Sequence, residues 1–565
     1  MKRNLTKLAQ HQYDVIIVGG GIYGAWAAWD ASLRGFSVAL LERADFGGAT
    51  SANSMKVIHG GLRYLQHLDL KRMRESIRER STLLRVAPHL VHLLPCLMPT
   101  YGHGLKGREV MTIALRLNDL ISMDRNKDVH PDKRIPGGRI LSRAELLNAL
   151  PGVPEKRLTG GAQWHDCQLQ NSERLTLALL TGAAEKGAQL ANYAEVTNFI
   201  TDDHRVIGAK IKDCEDGAEH SVFGKVVLNT TGPWMNRTFA MLNGFQPMTQ
   251  TPLAKGINLI VNRQLFQQVG VGVPSTYTFK DRDAVFNKGS RLLFVTPWRQ
   301  YSILGTTYFP YSGDPSDQTV SEADIQSLLD EFNQAYPAMQ VQREEICAYH
   351  LGVLPAIEDG NELSGNVNAE KQYKLIDHHK TARLEGLVSV LGVKYTTARD
   401  VASRAIDLVA KKLKRHDTQS STAIRPIPGG DMHDVGGYIE QEIGKRPWGL
   451  AETTVRHLIG QYGTRYTDIL HHLSEDEKWG QRIDEQEDVL AAEVLHGVRH
   501  EMARSLSDAV RRRTELGSAM CPSDAGLYKC AGILASELGW DKQKIEEEIA
   551  ATKAGYQPAA GNAGE

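Results

Sequence analysis

The chain has 565 residues, too many for one compact core, and at roughly 150 residues per domain it predicts two to four domains. Its 66 basic and 67 acidic residues leave a formal charge of -1, so no global field recruits nucleic acid, and 41% hydrophobic with 24% charged residues is an ordinary globular composition. Six cysteines (Cys96, Cys167, Cys214, Cys347, Cys521 and Cys530) form no C-x-x-C pair and no zinc spacing, so reduced cytoplasmic thiols are expected, and no apolar run approaches the ~18 residues of a membrane span.

The first segment, "MKRNLTKLAQHQYD", is basic but carries no small-residue cleavage site, so no secretory leader is expected. Residues 13–43, "YDVIIVGGGIYGAWAAWDASLRGFSVALLER", then read as strand, helix, strand. Gly19, Gly21 and Gly24 fit G-x-G-x-x-G: the first permits a tight turn, the second lets the backbone approach a pyrophosphate, and the third lets helix and sheet close. The helix N-terminus faces the anion, and Glu42 ends the second strand where a carboxylate accepts ribose hydroxyls. NAD and FAD both satisfy these residues.

Residues 47–84, "GGATSANSMKVIHGGLRYLQHLDLKRMRESIRERSTLL", place small and hydroxyl side chains and a Gly-Gly turn before a long helix. Gly47, Gly48, Gly60 and Gly61 leave room for a flat ring system. "REVMTIALRLNDLI" at 108–121 predicts an apolar helix, flanked by Arg108, Arg116, Arg125 and Lys127 and read as a buried interdomain element. "VVLNTTGPWMN" at 226–236 is a strand ending in a turn. From about 236 to 380 short β-rich pieces such as "GINLIVNR" and "YSILGTTYF" predict an antiparallel sheet beside the first unit, with a ligand cleft at the junction. "LVSVLG" is a buried strand, and "TTARDVASRAIDLVAKKLKR" an amphipathic helix with Thr396 and Thr397 available as caps. The turn between them, holding Gly392 and Lys394, aims a positive helix end at a group that becomes anionic. "RPIPGGDMHDVGGY" at 425–438 reads as a linker, residues 430–555 as a helical domain, and the terminal "AATKAGYQPAAGNAGE" as disordered. In the helical part His496, His500 and Glu501 read as a polar helix face, with no metal expected.

The 13–43 and 47–84 motifs, "VVLNTTGPWMN", "TPWRQYSILGTTYF" at 296–309 and "LVSVLGVKYTTARDVA" at 387–402 occur in an order that resembles the FAD-dependent glycerol-3-phosphate dehydrogenase and oxidase family, from about residue 12 to about residue 515. The resemblance implies FAD rather than NAD. It implies that Thr50, Ser51, Ser54 and His59 join Gly19, Gly21, Gly24 and Glu42 around the dinucleotide, with Thr231, Gly232 and Trp234 on the return strand and Gly392, Lys394 and Thr396 beside the flavin. From the residues alone Trp234 equally suits core packing and Lys394 a solvated surface; by resemblance Lys394 faces substrate. Arg63 and Tyr64 are implied to hold a substrate phosphate, with Lys371 aligning near a second phosphate arginine.

Three positions depart from the family. Leu354, in "YHLGVLPAIEDG", stands where the family has arginine, Asn258 where it has histidine, and Tyr308 where it has aspartate. Asparagine is no base near neutral pH, which leaves Lys394, Tyr308 or Tyr395 as candidates for proton transfer. Leu354 and Asn258 would give a less charged substrate wall.

The expected architecture is α/β plus α. A Rossmann-type FAD-binding domain is assembled from 1–100, 155–235 and 381–420, an antiparallel-sheet substrate domain from 101–154 and 236–380, and a C-terminal helical domain from 430–555, with a disordered tail at 556–565. The expected activity is oxidation of a secondary alcohol on a small polyol phosphate by hydride transfer to the flavin, with electrons passing to a quinone or another acceptor. Alternatives left open are an unphosphorylated polyol, an oxygen-using oxidase, and a flavin-binding protein without alcohol chemistry. A homodimer and peripheral membrane contact, which the 108–121 region makes in related quinone-linked dehydrogenases, are compatible with this reading.

Overall fold

The computed structural model describes residues 1–103, 107–242, 251–275, 292–317, 319–357, 368–369, 372–485 and 487–556. Two sheets form its framework. In the first, the strands run in the order Lys374–Asp377, Leu387–Leu391, Glu219–Asn229, Gln12–Val18, Val38–Leu41 and Gln189–Ala191. All of these pairings are parallel except that of the Lys374–Asp377 edge strand. "DVIIV" and "VALL" are apolar without alternation because both faces are covered, as parallel strands require. One face packs on the helices Ile22–Leu33, Ser172–Glu185 and Ala398–Lys412. The first of these helices is buried almost all round, with Trp26 and Trp29 filling the space against its neighbours.

The Gln12–Val18 strand connects through its helix to Val38–Leu41 on one side and pairs with Glu219–Asn229 on the other, so the strand order reverses there. A crevice opens at such a reversal, beyond the carboxyl ends of the strands.

The second sheet runs Asn368–Ala369, Ile346–Ile357, Leu253–Val261, Tyr301–Tyr311, Leu292–Trp298, Gly270–Pro274, Val91–Tyr101, Leu158–Leu169 and Val57–Ile58, with Arg139–Ser142 added beside Leu158–Leu169. It is antiparallel apart from the pairing of Gly270–Pro274 with Val91–Tyr101. Several strands cross the boundaries expected from sequence. Val57–Ile58, Val91–Tyr101 and Leu158–Leu169 belong to this sheet, whereas Lys374–Asp377 joins the first. The physical reason is length: Leu158–Leu169 pairs along its whole extent with Val91–Tyr101, a ladder that no local pattern ties to a partner.

The Arg108–Ile121 helix is not buried between domains. Only Leu115 is buried, while Ile113 and Leu120, and Met123 just beyond, are 66%, 60% and 75% exposed. No described helix is long and apolar enough to cross a membrane. The expected linker is shorter than 425–438, since a helix begins at Val435 with Asp434 as its side-chain cap, and Ile427 is buried with its N–H on the Val86 carbonyl (2.9 Å). The start of the expected tail is helical to Ala554, and Tyr556 lies 3.8 Å under the Arg511 guanidinium. Residues 557–565 lie outside the described residues.

Candidate active site

The crevice at the strand reversal is part of a cavity of about 780 Å³ that runs between the two sheets. Its floor is the glycine turn. Gly19 has φ +105°, and a Cβ there would lie 2.7 Å from the Thr230 carbonyl oxygen; at Gly24 a Cβ would meet the Gly19 oxygen at 1.9 Å. Gly21 caps the Ile22–Leu33 helix without a side chain, so the helix N-terminus opens on the cavity, with the Ile22 N–H on Ser51 Oγ (3.0 Å). The Glu42 carboxylate receives the N–H groups of Gly20 (2.7 Å) and Ala44 (2.9 Å). Burial pushes its pKa up against those bonds. This is a cradle that side chains would fill, with free helix-end donors and an adjoining acid, and it fits a dinucleotide.

Of the residues expected to hold the dinucleotide, Gly19, Gly21, Glu42, Thr50, Ser51, Ser54, His59, Thr231, Gly232, Trp234, Gly392, Lys394 and Thr396 all line the cavity; Gly24 packs beneath it. Trp234 is rim rather than core: Nε1 donates to Ser316 Oγ (3.1 Å), and the Arg43 guanidinium lies 4.4 Å from the ring centre. Thr397 makes no side-chain cap, and Thr396 Oγ1 instead accepts the His59 N–H (3.3 Å), which leaves the Ala398–Lys412 helix end uncapped towards the cavity. Burial lowers the His59 pKa to about 4, so its ring is neutral near pH 7.

The Gly392–Lys394 loop is held by one phenol. Tyr23 Oη donates to the Lys394 carbonyl (2.7 Å) and accepts the N–H groups of Val393 and Lys394 (3.1 Å each). A Cβ at Gly392 would lie 2.2 Å from the Tyr23 ring, so the loop closes this tightly only on glycine. The Lys394 ammonium sits 4.4 Å from the centre of the Tyr64 ring, and burial together with Arg72 lowers its pKa to about 8.

The opposite wall comes from the second sheet. Gly256 stands opposite Tyr308 on one neighbour and Gly352 on the other, and a Cβ at Gly256 would touch the Tyr308 ring (3.1 Å) and Leu354 Cδ2 (3.4 Å). Tyr308 and Leu354 therefore flank one gap. Asn258 is buried, with Oδ1 accepting from Thr306 Oγ1 (2.6 Å) and Nδ2 reaching the Asn53 carbonyl (3.5 Å), so its amide ties the sheet to the 47–55 loop. Thr50 Oγ1 makes a second tie, to the Val353 carbonyl (2.7 Å).

Four expected residues remain: Tyr395, Arg63, Tyr64 and Lys371. Tyr395 lines the cavity, but its hydroxyl donates to the Ser172 carbonyl (3.0 Å) and burial raises its pKa well above the ordinary range, so it is a tether and not a base. Arg63 is exposed on the Leu62–His67 turn and, like Tyr64, does not form the cavity wall; no hydrogen bond or ion pair engages its guanidinium among the described residues. Lys371 lies outside the described residues.

Sequence reasoning missed the C-terminal contribution. Ser505, Ser507, Asp508 and Arg512 line the same cavity. Arg513 grips Asp45 with two bonds of 2.7 Å, and Arg512 bridges Asp45 (2.5 Å) and Asp508 (2.6 Å). Burial pushes Asp45 up, but the two arginines outweigh it and hold the carboxyl well below its usual range. The available signal was the run Arg511, Arg512 and Arg513 within a helical pattern.

Residues 14–393 match the family model described as FAD dependent oxidoreductase, and residues 420–545 match the C-terminal domain of alpha-glycerophosphate oxidase. A glycerol-3-phosphate dehydrogenase of Synechocystis sp. is 31% identical over 559 residues, 97% of each chain. The mitochondrial glycerol-3-phosphate dehydrogenase of Bos taurus is 29% identical over 569 residues, 96% of this chain and 73% of that one. The FAD complex of glycerol-3-phosphate dehydrogenase from Bacillus halodurans shares the fold with a TM-score of 0.73 at 22% identity, covering 97% of this chain and 95% of that chain.

Proposed function

The chain belongs to the family of FAD-dependent oxidoreductases that includes the glycerol-3-phosphate dehydrogenases, and from that premise we propose how its cavity oxidises the secondary hydroxyl of glycerol 3-phosphate. The observation that carries this reading is the continuity of one cavity from the glycine cradle to Lys394, Tyr308 and Leu354. FAD, when bound, supplies the acceptor for the hydride leaving the carbinol carbon.

In this proposal Lys394 Nζ, in its neutral form, takes the hydroxyl proton, and the depressed pKa gives it that capacity near neutral pH. The uncapped start of the Ala398–Lys412 helix places a positive dipole end where negative charge develops. Leu354 and the Tyr308 ring form the less charged side and exclude water from the reacting carbon. Arg63 meets the phosphate, for which an exposed and unengaged guanidinium beside Tyr64 is suited. Lys371 is the second phosphate cation of the proposal.

For the electron acceptor we propose a quinone reached at a membrane surface. Support comes from the solvent-facing Ile113, Leu120 and Met123, an apolar display of the kind that marks interaction sites. Turnover with a short-chain quinone and without peroxide release is the expected result; stoichiometric peroxide would make the protein an oxidase.

The test of the reaction is anaerobic flavin absorbance during titration with sn-glycerol 3-phosphate, followed by glycerol and other polyol phosphates. Glycerol 3-phosphate is expected to bleach the oxidised flavin band and glycerol to leave it. Bleaching by another polyol alone would reassign the substrate, and a flavin reduced by dithionite but by no polyol would remove the proposal.

A further inference from the structure

Away from the cavity, the helices Tyr466–Glu475 and Ala491–Glu501 bring three histidines together. His496 and His500 are one turn apart on the second helix, and His472 comes from the first. One ring nitrogen of each lies within 4.8 Å of the other two. The His472 and His496 nitrogens, Nε2 and Nδ1, are 3.3 Å apart. Two imidazole nitrogens on a tetrahedral ion with bonds of ~2.0–2.1 Å lie about 3.3–3.4 Å apart. His472 is buried, His496 half-buried and His500 exposed, so the cluster opens to solvent on one side.

The outer nitrogens of His472 and His496 each face a carboxylate just beyond hydrogen-bond distance. His472 Nδ1, a buried atom with no hydrogen-bond partner, is 3.6 Å from Glu475 Oε1, and His496 Nε2 is 3.9 Å from Glu501 Oε1. A carboxylate behind an imidazole favours the tautomer whose other nitrogen presents its lone pair, the usual support of a metal-bound histidine. The nearby cation Arg499 is engaged by Glu475 and Glu537, and Arg174 by Glu501. Burial also lowers the pKa of all three rings, towards the neutral form that a metal takes.

We propose that His472 Nε2, His496 Nδ1 and His500 bind a divalent first-row transition ion of the zinc class, with water in the fourth position on the exposed side. Three imidazoles without thiolates suit zinc, cobalt or nickel and give magnesium or calcium no foothold. The ion would brace the two helices together. Because Glu501 closes the second helix and grips Arg174 in the Ser172–Glu185 helix through two bonds of 2.7 Å, that brace bears on the seat of the flavin layer.

The experiment is calorimetric titration of untagged, chelator-treated, flavin-loaded full-length protein with Zn²⁺ alone. One equivalent is expected to bind at micromolar or tighter affinity. His500→Gln, an exposed change that leaves the fold intact, is expected to weaken binding by at least about tenfold, and His496→Gln by more. His471→Gln, outside the cluster, should change nothing. Flavin content and far-UV circular dichroism of each variant establish that it is folded. Absence of saturable binding, or an affinity that His500→Gln or His496→Gln leaves unchanged, overturns the site.

Discussion

At Lys394 a pKa of about 8 leaves roughly a tenth of the amines neutral at pH 7. If the neutral form is the base, kcat/KM rises about tenfold per pH unit below 8 and levels above it, because raising the pH empties the proton from Nζ. Stopped-flow flavin reduction across pH 6–9 checks this. Lys394→Met should remove the rising limb and slow reduction by about 10²- to 10⁴-fold while the flavin stays bound. Arg63→Ala should act differently, raising KM for glycerol 3-phosphate by about tenfold with a smaller change in kcat, and Arg63→Lys should recover part of the loss, since a point charge replaces a two-pronged donor. The motifs pointed to both residues by resemblance. They could not show that Tyr395, one position beyond Lys394, turns its hydroxyl to Ser172, because a hydrogen bond over 223 positions has no local signature.

Among the elements, the strand–helix–strand unit was the most legible. Its apolar runs, its three glycines and Glu42 are all set by neighbours in sequence, and the structure places each where that spacing requires. Gly24→Ala tests the unit directly: the added methyl would overlap the Gly19 carbonyl, so helix and strand must part. The purified variant should hold well under half of the wild-type flavin-to-protein ratio, measured from absorbance after denaturation. The Arg108–Ile121 helix misled for the opposite reason. Its apolar residues recur at helical spacing, but periodicity does not say how much of them is covered: Met111, Leu115, Leu117 and Ile121 pack on the protein, while Ile113 and Leu120 look to solvent. The second sheet was recognisable as antiparallel, yet its membership depended on pairings between distant strands such as Val91–Tyr101 and Leu158–Leu169.

Across the whole molecule, the helical C-terminal part and the glycine cradle are joined through Asp45, with side chains of Asp45 and Arg513 only 2% and 0% exposed. Removing one member of a buried pair leaves the other charge unmatched, which costs about 3–5 kcal/mol. Arg513→Met should therefore lower the unfolding midpoint and release flavin, whereas Arg513→Met with Asp45→Asn should regain part of the stability. Denaturant titration followed by flavin fluorescence distinguishes the two. The sign with pH is fixed by the depressed carboxyl: the clamp is intact above the unfolded aspartate pKa of about 4 and weakens in more acid solution.

The same clamp spans 468 positions in sequence. During synthesis the cradle leaves the ribosome within the first fifty residues, but Arg512 and Arg513, which steady its loop, follow more than four hundred and fifty residues later. A nascent chain can thus fold the strand–helix–strand unit early and still present Asp45 as an unmatched carboxylate beside an unfinished wall. Firm retention of the flavin is a late event in the birth of this protein, and chains cut short before residue 512 should emerge pale.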